Sequence, residues 1–587
     1  MRSRKHQHWR WLVILAALSL AIAACGGNDD PADDDTEAPE TTEEDTDADA
    51  DVTDTEEDTA TEEDPDENGE ATDGGTVLFG DEQEPTILNG FLIDGNSLVT
   101  SKVFNNVFAG AYVIQPDFSY APWLIDGEAE FTEDPFAVTY TIRDDADWSD
   151  GTPISVDDMI FTLELFDEDA PHADQVTSRA GYELITDFEV DGDKTITFNF
   201  EEPYAAWQLL FSNVLPAHVL EGEDFETVLN DELPDVSSGP YLFESWDRGT
   251  QLRLVRNDDY WDGDVGLDEI VMRYVPDTTT LTQQMRGGEI DMYDPQPQIE
   301  LIGQLDEVSD RIEFEVGLGP VWEHIDFNTL VPGLDKDYVR QAIALGINRP
   351  QIVETLVQPV DPDAEVLQQP FWMTNSEFYE PTYDQWDHDP DAARQLLEDN
   401  GCTEGDGGIY ECDGDRLAFR FGTTGGNERR ELTQQLVQAD LANVGIEITI
   451  ENDEGATFFE RLNTPDNCDG VCDYDLALFA WVGSPDPSGN ANIYGCDEDD
   501  TPRPQNWTVY CDDELTSLMD EANSTVDPDD NAALWNEAAA VIAEGVPIIP
   551  LFQQPQLLAW DNTISGPQLN PTNQTQFWNS AEWARTQ

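Results

Sequence analysis

Positive charge is scarce in this chain. Lysine and arginine total 25 against 127 acidic residues, and four of the 25 are lysines. A formal charge of −102 argues against a nucleic-acid partner and against lying flat on an anionic membrane. Histidine is sparse as well: beyond the first residues, His172, His218, His324 and His388 stand isolated. No CxxC pair and no HExxH motif occur, so nothing points to a zinc site or any other bound metal. No GxSxG motif occurs, and no lone cysteine stands with a suitable histidine. Acid pairs of the kind a glycosidase uses arise by chance at this density of carboxylates. The Asp-rich stretches 262–269 and 497–500 do not match an EF-hand loop, and no repeat array is visible. The expectation is therefore a binder rather than an enzyme, without a cofactor. Beyond residue 24 no apolar run approaches the length of a membrane span.

The beginning of the chain is different. MRSRKHQHWRW (1–11) holds four basic residues and no acid, and residues 12–24 are apolar apart from one serine. A basic start, a short apolar stretch and small residues before a processing point read as a secretory signal over 1–24. The stretch ends Ile22-Ala23-Ala24-Cys25, which resembles the lipobox of bacterial lipoproteins. The resemblance implies that Cys25 is acylated and becomes the first mature residue, held at the outer face of the cell membrane. Residues 28–73 then carry 24 acids, no basic residue and almost no large apolar side chain. Such a segment cannot bury enough surface to offset its ordering entropy, and its like charges extend it. Residues 25–75 are expected to be a disordered, lipid-anchored tether averaging roughly 40 Å end to end.

The remaining 514 residues are too many for one core and point to two or three domains. Their acidic, lysine-poor surface is similar to that of proteins from salt-adapted organisms. Six cysteines, Cys402, Cys412, Cys468, Cys472, Cys496 and Cys511, lie in polar, Gly- and Asp-rich surroundings. Fifteen pairings are possible. Proximity favours 402–412, 468–472 and 496–511, staples suited to an oxidising compartment.

Hydrophobic periodicity alternates between 2 and 3.6. Val138, Tyr140 and Ile142 mark one strand, and Ile196, Phe198 and Phe200 another. Ser155 to Asp158 reads as a capping box opening a helix. Residues 267–293 read as a β–α–β unit. The pattern returns as a strand at 417–423, a helix at 428–443 and a strand at 446–451. DLALFAWVG (475–483) is a continuously apolar strand of a covered sheet. A helix at 529–544 and a strand at 546–552 follow. Interleaved strands and helices imply α/β layers.

Five stretches carry a family resemblance: WSDGTPISVDDMIFTLE (148–164), SSGPYLFESWDRGTQLRLVRNDDYW (237–261), DKDYVRQAIALGINRPQIVETL (335–356), HDPDAARQLLEDNG (388–401) and VPIIPLFQQPQLLAW (546–560). Their order and spacing over residues 76–580 resemble the extracellular solute-binding proteins of peptide- and nickel-type ABC importers. The resemblance implies a two-lobed clamshell with an extra subdomain in lobe I. Lobe I would hold 76–321 and the return 548–587, and lobe II 322–547. Solute, a short peptide first among the candidates, would bind between the lobes of a monomer and pass to a membrane permease. A sugar or a metal chelate is the alternative cargo. In SSGPY, Gly239 is expected to supply an unusual backbone angle in a rigid turn near the cleft. In peptide-binding relatives an acid three residues after the tryptophan equivalent to Trp481 pairs with the peptide ammonium. Here that place holds Ser484, and Asp486 is the nearest carboxylate. Either Asp486 takes the role or the ligand lacks a free amino terminus. Trp481, Ser484 and Asp486, with Trp322, Asn328 and Tyr112, are the candidate ligand contacts.

Overall fold

The computed structural model describes residues 71–72, 74–173, 175–297, 299–462, 474–497, 501–503 and 505–586. The signal stretch, Cys25, the acidic segment as far as residue 70 and the pair Cys468 and Cys472 lie outside the described residues.

One ten-stranded sheet runs through the body. Its spatial order is Glu447–Ile450, Ala418–Thr423, Leu476–Val482, Ile312–Phe327, Ile548–Asp561, Met292–Tyr293, Thr76–Asp81, Glu269–Tyr274, Gln251–Arg256 and Tyr241–Asp247. Two central strands, Ile312–Phe327 and Ile548–Asp561, are far longer than the rest and pair antiparallel, Ile312 opposite Asp561 and Asp326 opposite Ile548. Each contributes its two ends to different cores. Ile312, Leu557 and Ala559 pack with Leu281, Met285 and Leu305, whereas Trp322, Ile325, Phe327, Ile548 and Leu551 pack into a core reaching from residue 322 to 552. Between these ends the sequence turns polar, as Gln553, Gln554, Pro555 and Gln556, and the register slips between Leu318 and Trp322. A shifted register bends and twists a strand pair. The polar middle is where the chain passes from one lobe to the other.

The first lobe is built on a core running from Val77 to Tyr274, joined by Leu558, Ile564, Leu569, Phe577 and Trp583 from the end of the chain. It carries its own four-stranded antiparallel sheet, ordered Glu130–Glu133, Phe136–Thr141, Thr195–Phe200 and Ile185–Asp191. The helix Val156–Glu164 opens with the expected capping box: Asp157 N donates to Ser155 Oγ, and Asp158 accepts from Ser155 N. Gly239 is needed for a different reason from the one its motif suggested. Its φ is not in the left-handed region, but a Cβ there would sit 2.3 Å from the Asn106 carbonyl oxygen. Close backbone approach, not turn geometry, requires glycine.

The second lobe pairs Ala418–Thr423 in parallel with Glu447–Ile450 and Leu476–Val482, as the β–α–β reading anticipated. The helices Asp337–Gly346, Glu428–Val444 and Pro528–Gly545 contribute to its core. Disulfides Cys402–Cys412 and Cys496–Cys511 staple its peripheral loops, with Cα separations of 4.3 and 5.6 Å. Among the described residues no helix is long and apolar enough to cross a membrane.

Candidate functional site

The two long strands leave a cleft beside their polar middle, where one cavity opens, and a second cavity adjoins the first. The first, about 230 Å³, lies against Gly319, Pro320 and Val321 of one strand and Gln554 and Gln556 of the other, under Asp81, Lys102 and Asp294. The second, about 480 Å³, is walled by Gln296, Pro297 and Glu300 on one side and by Leu356, Val360 and residues Gly426–Arg429 with Leu432 on the other. Gln296 and Pro297 belong to both cavities.

Charge on these walls is arranged unevenly. Lys102, on the helix Leu98–Val107, is buried and pairs with Asp81 at 2.6 Å and Asp294 at 2.7 Å. Burial alone would lower the lysine pKa, but Asp294 and Asp81 outweigh it and hold the ammonium above its ordinary value. Burial pushes the Asp294 carboxyl up to about 7, with Asp81 adding to the rise and Lys102 opposing it. Glu82, which accepts from Thr278 Oγ1, is also raised by burial. Three carboxyls against one ammonium leave this wall negative.

Beneath the cleft, Glu323 is 2% exposed and accepts from Arg430 Nε at 3.0 and 3.1 Å and from Gln554 Nε2 at 2.5 Å. Arg430 also donates to Thr424 Oγ1 at 2.9 Å. This network ties the start of the helix Glu428–Val444 to both hinge strands. Its neighbour Arg429 faces the second cavity.

The sequence-derived candidates fall into two groups. Trp322 and Trp481 are register partners on adjacent strands. Trp322 is buried in the second core, and half-buried Trp481 stacks among Trp507, Phe479 and His324 at centroid distances of 5.1, 5.4 and 6.3 Å. Asn328 sits at the far end of the same hinge strand. It is fully buried, accepting from Leu330 N and donating to the Tyr474 carbonyl.

Ser484 is exposed and accepts from Asp486 N at 3.4 Å. Asp486 caps the turn Pro487–Gly489, accepting from Ser488 N at 2.8 Å, and burial raises its carboxyl. It faces the first lobe, where its charge helps to raise the phenols of Tyr120 and Tyr204 after burial has done most of the work. Tyr112 stands one ring behind, edge-on to Tyr120 at 6.3 Å, its hydroxyl accepting from Ala129 N at 2.9 Å. Here the lobes touch: Ala205 N donates to the Asn523 carbonyl at 2.9 Å, and Val526 packs on the first core. Asp486 lines neither of the two cavities described. Its loop is tied to the first cavity's rim through Gly483 N, which donates to Pro320 O at 2.6 Å.

Several groups on the walls escaped sequence reading: Asp81, Lys102, Asp294, Glu323, Gln554, Arg429 and Arg430. One signal for Lys102 was available. It is one of four lysines in the chain, and it stands at an apolar-flanked position of a helix. The run Gln553-Gln554-Pro555-Gln556 likewise interrupts an otherwise apolar strand. Among the described residues no group of three or more His, Cys, Asp or Glu is placed to hold a metal ion.

Comparison with known proteins places this geometry. The oligopeptide-binding protein AppA of Bacillus subtilis is 23% identical over 529 residues, covering 88% of this chain and 92% of that protein. The oligopeptide-binding protein OppA of Mycobacterium bovis is 27% identical over 511 residues, covering 84% and 82%. Among solved structures, the periplasmic EDTA-binding protein EppA superposes with a TM-score of 0.81 at 24% identity, covering 88% of this chain and 98% of that one. The family model of the bacterial extracellular solute-binding proteins, family 5 (middle), matches residues 119–501. With two lobes, two long strands between them and a cleft at the crossing, the chain belongs to the bacterial extracellular solute-binding proteins of family 5.

Proposed function

We propose that this protein is the lipid-anchored, extracellular solute-binding component of an ABC importer. It captures a small solute, an oligopeptide or dipeptide first, between lobe I (76–321 and 548–587) and lobe II (322–547), and delivers it to a membrane permease as a monomer. The observation that carries the reading is the second cavity, whose walls come from both lobes and which shares Gln296 and Pro297 with the cavity against the hinge strands. Solute held there bridges the lobes, and its binding energy favours the closed form over the open one. Cavities at domain interfaces are the usual place for small ligands. Cys25 supplies the lipid hook and the acidic residues after it the tether that keeps the clamshell within reach of its permease; the expected tether of 25–75 ends short of its bound, because Ala71–Thr72 pairs with the strand Ala584–Thr586 and Gly75 N donates to Asp268.

A second reading keeps the transport role and changes the cargo to a sugar or a metal chelate. Ser484 favours it, standing where peptide-binding relatives carry an acid, and Asp486 lies outside the two cavities. The relative titled EDTA-binding shows that the fold is compatible with a non-peptide cargo. Native mass spectrometry of the full chain, purified gently, tests the two. Extra masses that fragment as short peptides, lost on Asp486→Ala, support peptide capture with Asp486 as ammonium partner. A peptide complement unchanged by Asp486→Ala keeps the cargo and removes Asp486 from the site. A single non-peptide mass moves the cargo to the second reading.

A further inference from the structure

The lobes meet directly at a patch that lines neither cavity. On the lobe II side stand the turn Pro487–Gly489, capped by Asp486, and the C-terminal end of the helix Asp513–Asn523. These two pieces are joined, since Asn523 Nδ2 donates to the Ser488 carbonyl at 3.4 Å. On the lobe I side stand Tyr120 and the pair Tyr204 and Ala205, in the loop after the strand Thr195–Phe200. Three contacts cross between them. Ala205 N donates to the Asn523 carbonyl at 2.9 Å, and Val526 packs on the first core. The Asp486 carboxylate lies close enough to Tyr120 and Tyr204 for its charge to add to the rise that burial imposes on both phenols.

Each side of the patch is prepared within its own lobe. The last carbonyls of a helix have no partner inside it. Asn531 Nδ2 donates to the Ala522 carbonyl at 2.7 Å and to the Thr525 carbonyl at 3.2 Å, which fixes the turn on either side of Asn523. The Asn523 carbonyl takes its hydrogen bond from the other lobe. In lobe I the Tyr204 ring is seated against Gly181, where a Cβ would fall 2.3 Å from a ring carbon. The ring is thereby held in the first core, and Ala205 N is turned toward lobe II. Among the described residues Asn523 O is the one acceptor of that N–H. Opening the lobes would strip the N–H of its acceptor and Val526 of its apolar contact. Interfaces of this kind between parts of one chain bias their relative motion rather than forbid it. Because the patch lines neither cavity, its contacts favour closure whether or not solute is bound. A protein whose binding-competent form is already populated loses less affinity to the closing step.

We propose that this patch is a latch: Asn523, Val526 and the Asp486 turn of lobe II, set on Tyr204 and Ala205 of lobe I, hold the clamshell closed in the absence of solute, so that cargo adds to a closure the protein already makes. The inference rests on the two-lobed reading of the fold, not on the identity of the cargo. It gives the Asp486 turn a task that needs no ligand.

The test uses the full chain, freed of cargo and verified as such by native mass spectrometry, and follows hydrogen exchange in the segment that holds Ala205. In the cargo-free wild type the Ala205 amide should exchange roughly tenfold or more slowly than an unstructured amide. Val526→Glu sets a carboxylate against the first core when the lobes are closed and leaves it in water when they are open. The variant should bring Ala205 close to the unstructured rate, while the strands Phe136–Thr141 and Ala418–Thr423 keep the protection they have in the wild type. Should those strands lose protection too, the lobes themselves are damaged, and Val526→Ala, which removes two methyl groups, takes its place with a smaller acceleration expected at Ala205 alone. An Ala205 amide that exchanges freely in the cargo-free wild type overturns the latch. One that stays protected in the variant as in the wild type overturns it as well. Neither result touches solute capture, whose failure would appear instead as the absence of any bound mass in the gently purified protein. The substitutions avoid Asp486, so this test and that of the ammonium partner share no variant.

Discussion

The two lobes bury their cations in different ways. In lobe I, Lys102 is caught between two carboxylates, Asp81 and Asp294, on a wall of the cleft. In lobe II, Arg340 and Arg349 are buried at least as deeply, but their main acceptors are main-chain carbonyls: Leu334, Gly545 and Val546 for Arg340, and Tyr383 for Arg349. Carbonyls do not titrate and carboxyls do. Lobe II thus uses buried guanidinium as a neutral-acceptor clamp between the helix Asp337–Gly346 and the end of Pro528–Gly545. Lobe I places a proton-sensitive cluster where solute is proposed to bind. The lobes also differ in cross-linking, since both disulfides of the described residues are in lobe II.

The largest expected effect breaks the clamp. Arg340→Met removes the donors that serve three buried carbonyls while keeping apolar bulk. Leaving them unpaired should cost about 3 kcal/mol or more, in line with buried polar groups that lose their partner. The loss should be the same at pH 5 and pH 8, because no acceptor of consequence in the cluster titrates except the exposed end of Asp337. Urea unfolding at both pH values measures it, and a strong pH dependence would erase the contrast between the lobes.

A smaller effect sharpens the second difference. Replacing Cys402 and Cys412 together by serine releases a loop with a sequence separation of 10. The chain-entropy relation gives about 2–3 kcal/mol for a loop of that size. The loss should fall on lobe II. Hydrogen exchange should speed up in the strands Ala418–Thr423 and Glu447–Ile450 while Phe136–Thr141 and Thr195–Phe200 keep their protection. Equal loss in both lobes would show that they unfold as one cooperative unit.

Periodicity made much of this fold readable, and the site much less so. The strand at 475–483 and the helices at 428–443 and 529–544 announced themselves because burial on one or both faces leaves a regular apolar record. The family stretches pointed to the family and its fold class. The cleft chemistry left no such record. Lys102, Asp81 and Asp294 are separated by up to 213 residues and meet only through the sheet order. Arg429 and Arg430 are neighbours of the same type, yet one is bound to Glu323 across 107 positions and the other to nothing among the described residues. A helix turn of about 100° per residue sends two adjacent side chains to different surroundings, and which of them finds an acid is decided by the partner strand. Asn328 shows the converse: a polar residue in the hinge crossing that suggested a ligand contact, but whose amide is used inside the second lobe.

The smallest effect over any one pH unit belongs to Asp294, and its sign is the test. Burial holds the folded carboxyl up to about 7, whereas an unfolded aspartate titrates at about 3.9. Below about 3.9 both states carry the proton, and above about 7 neither does. Between these limits the folded chain binds more protons than the unfolded one, so this group's contribution to stability falls as pH rises. One proton sets a ceiling of about 1.4 kcal/mol per pH unit, and sharing between Asp294, Asp81 and Lys102 keeps the slope below it. Asp294→Asn removes the titration and keeps the shape. The many other carboxyls of the body titrate in both proteins, so the difference in melting temperature between wild type and Asp294→Asn isolates this one. That difference should move against the wild type from pH 5 to pH 8, as thermal unfolding of both proteins at the two pH values will measure. A difference that stays flat would mean that Lys102 holds both carboxyls ionised throughout, and that the lobe I wall is as insensitive to protons as the carbonyl clamp of lobe II.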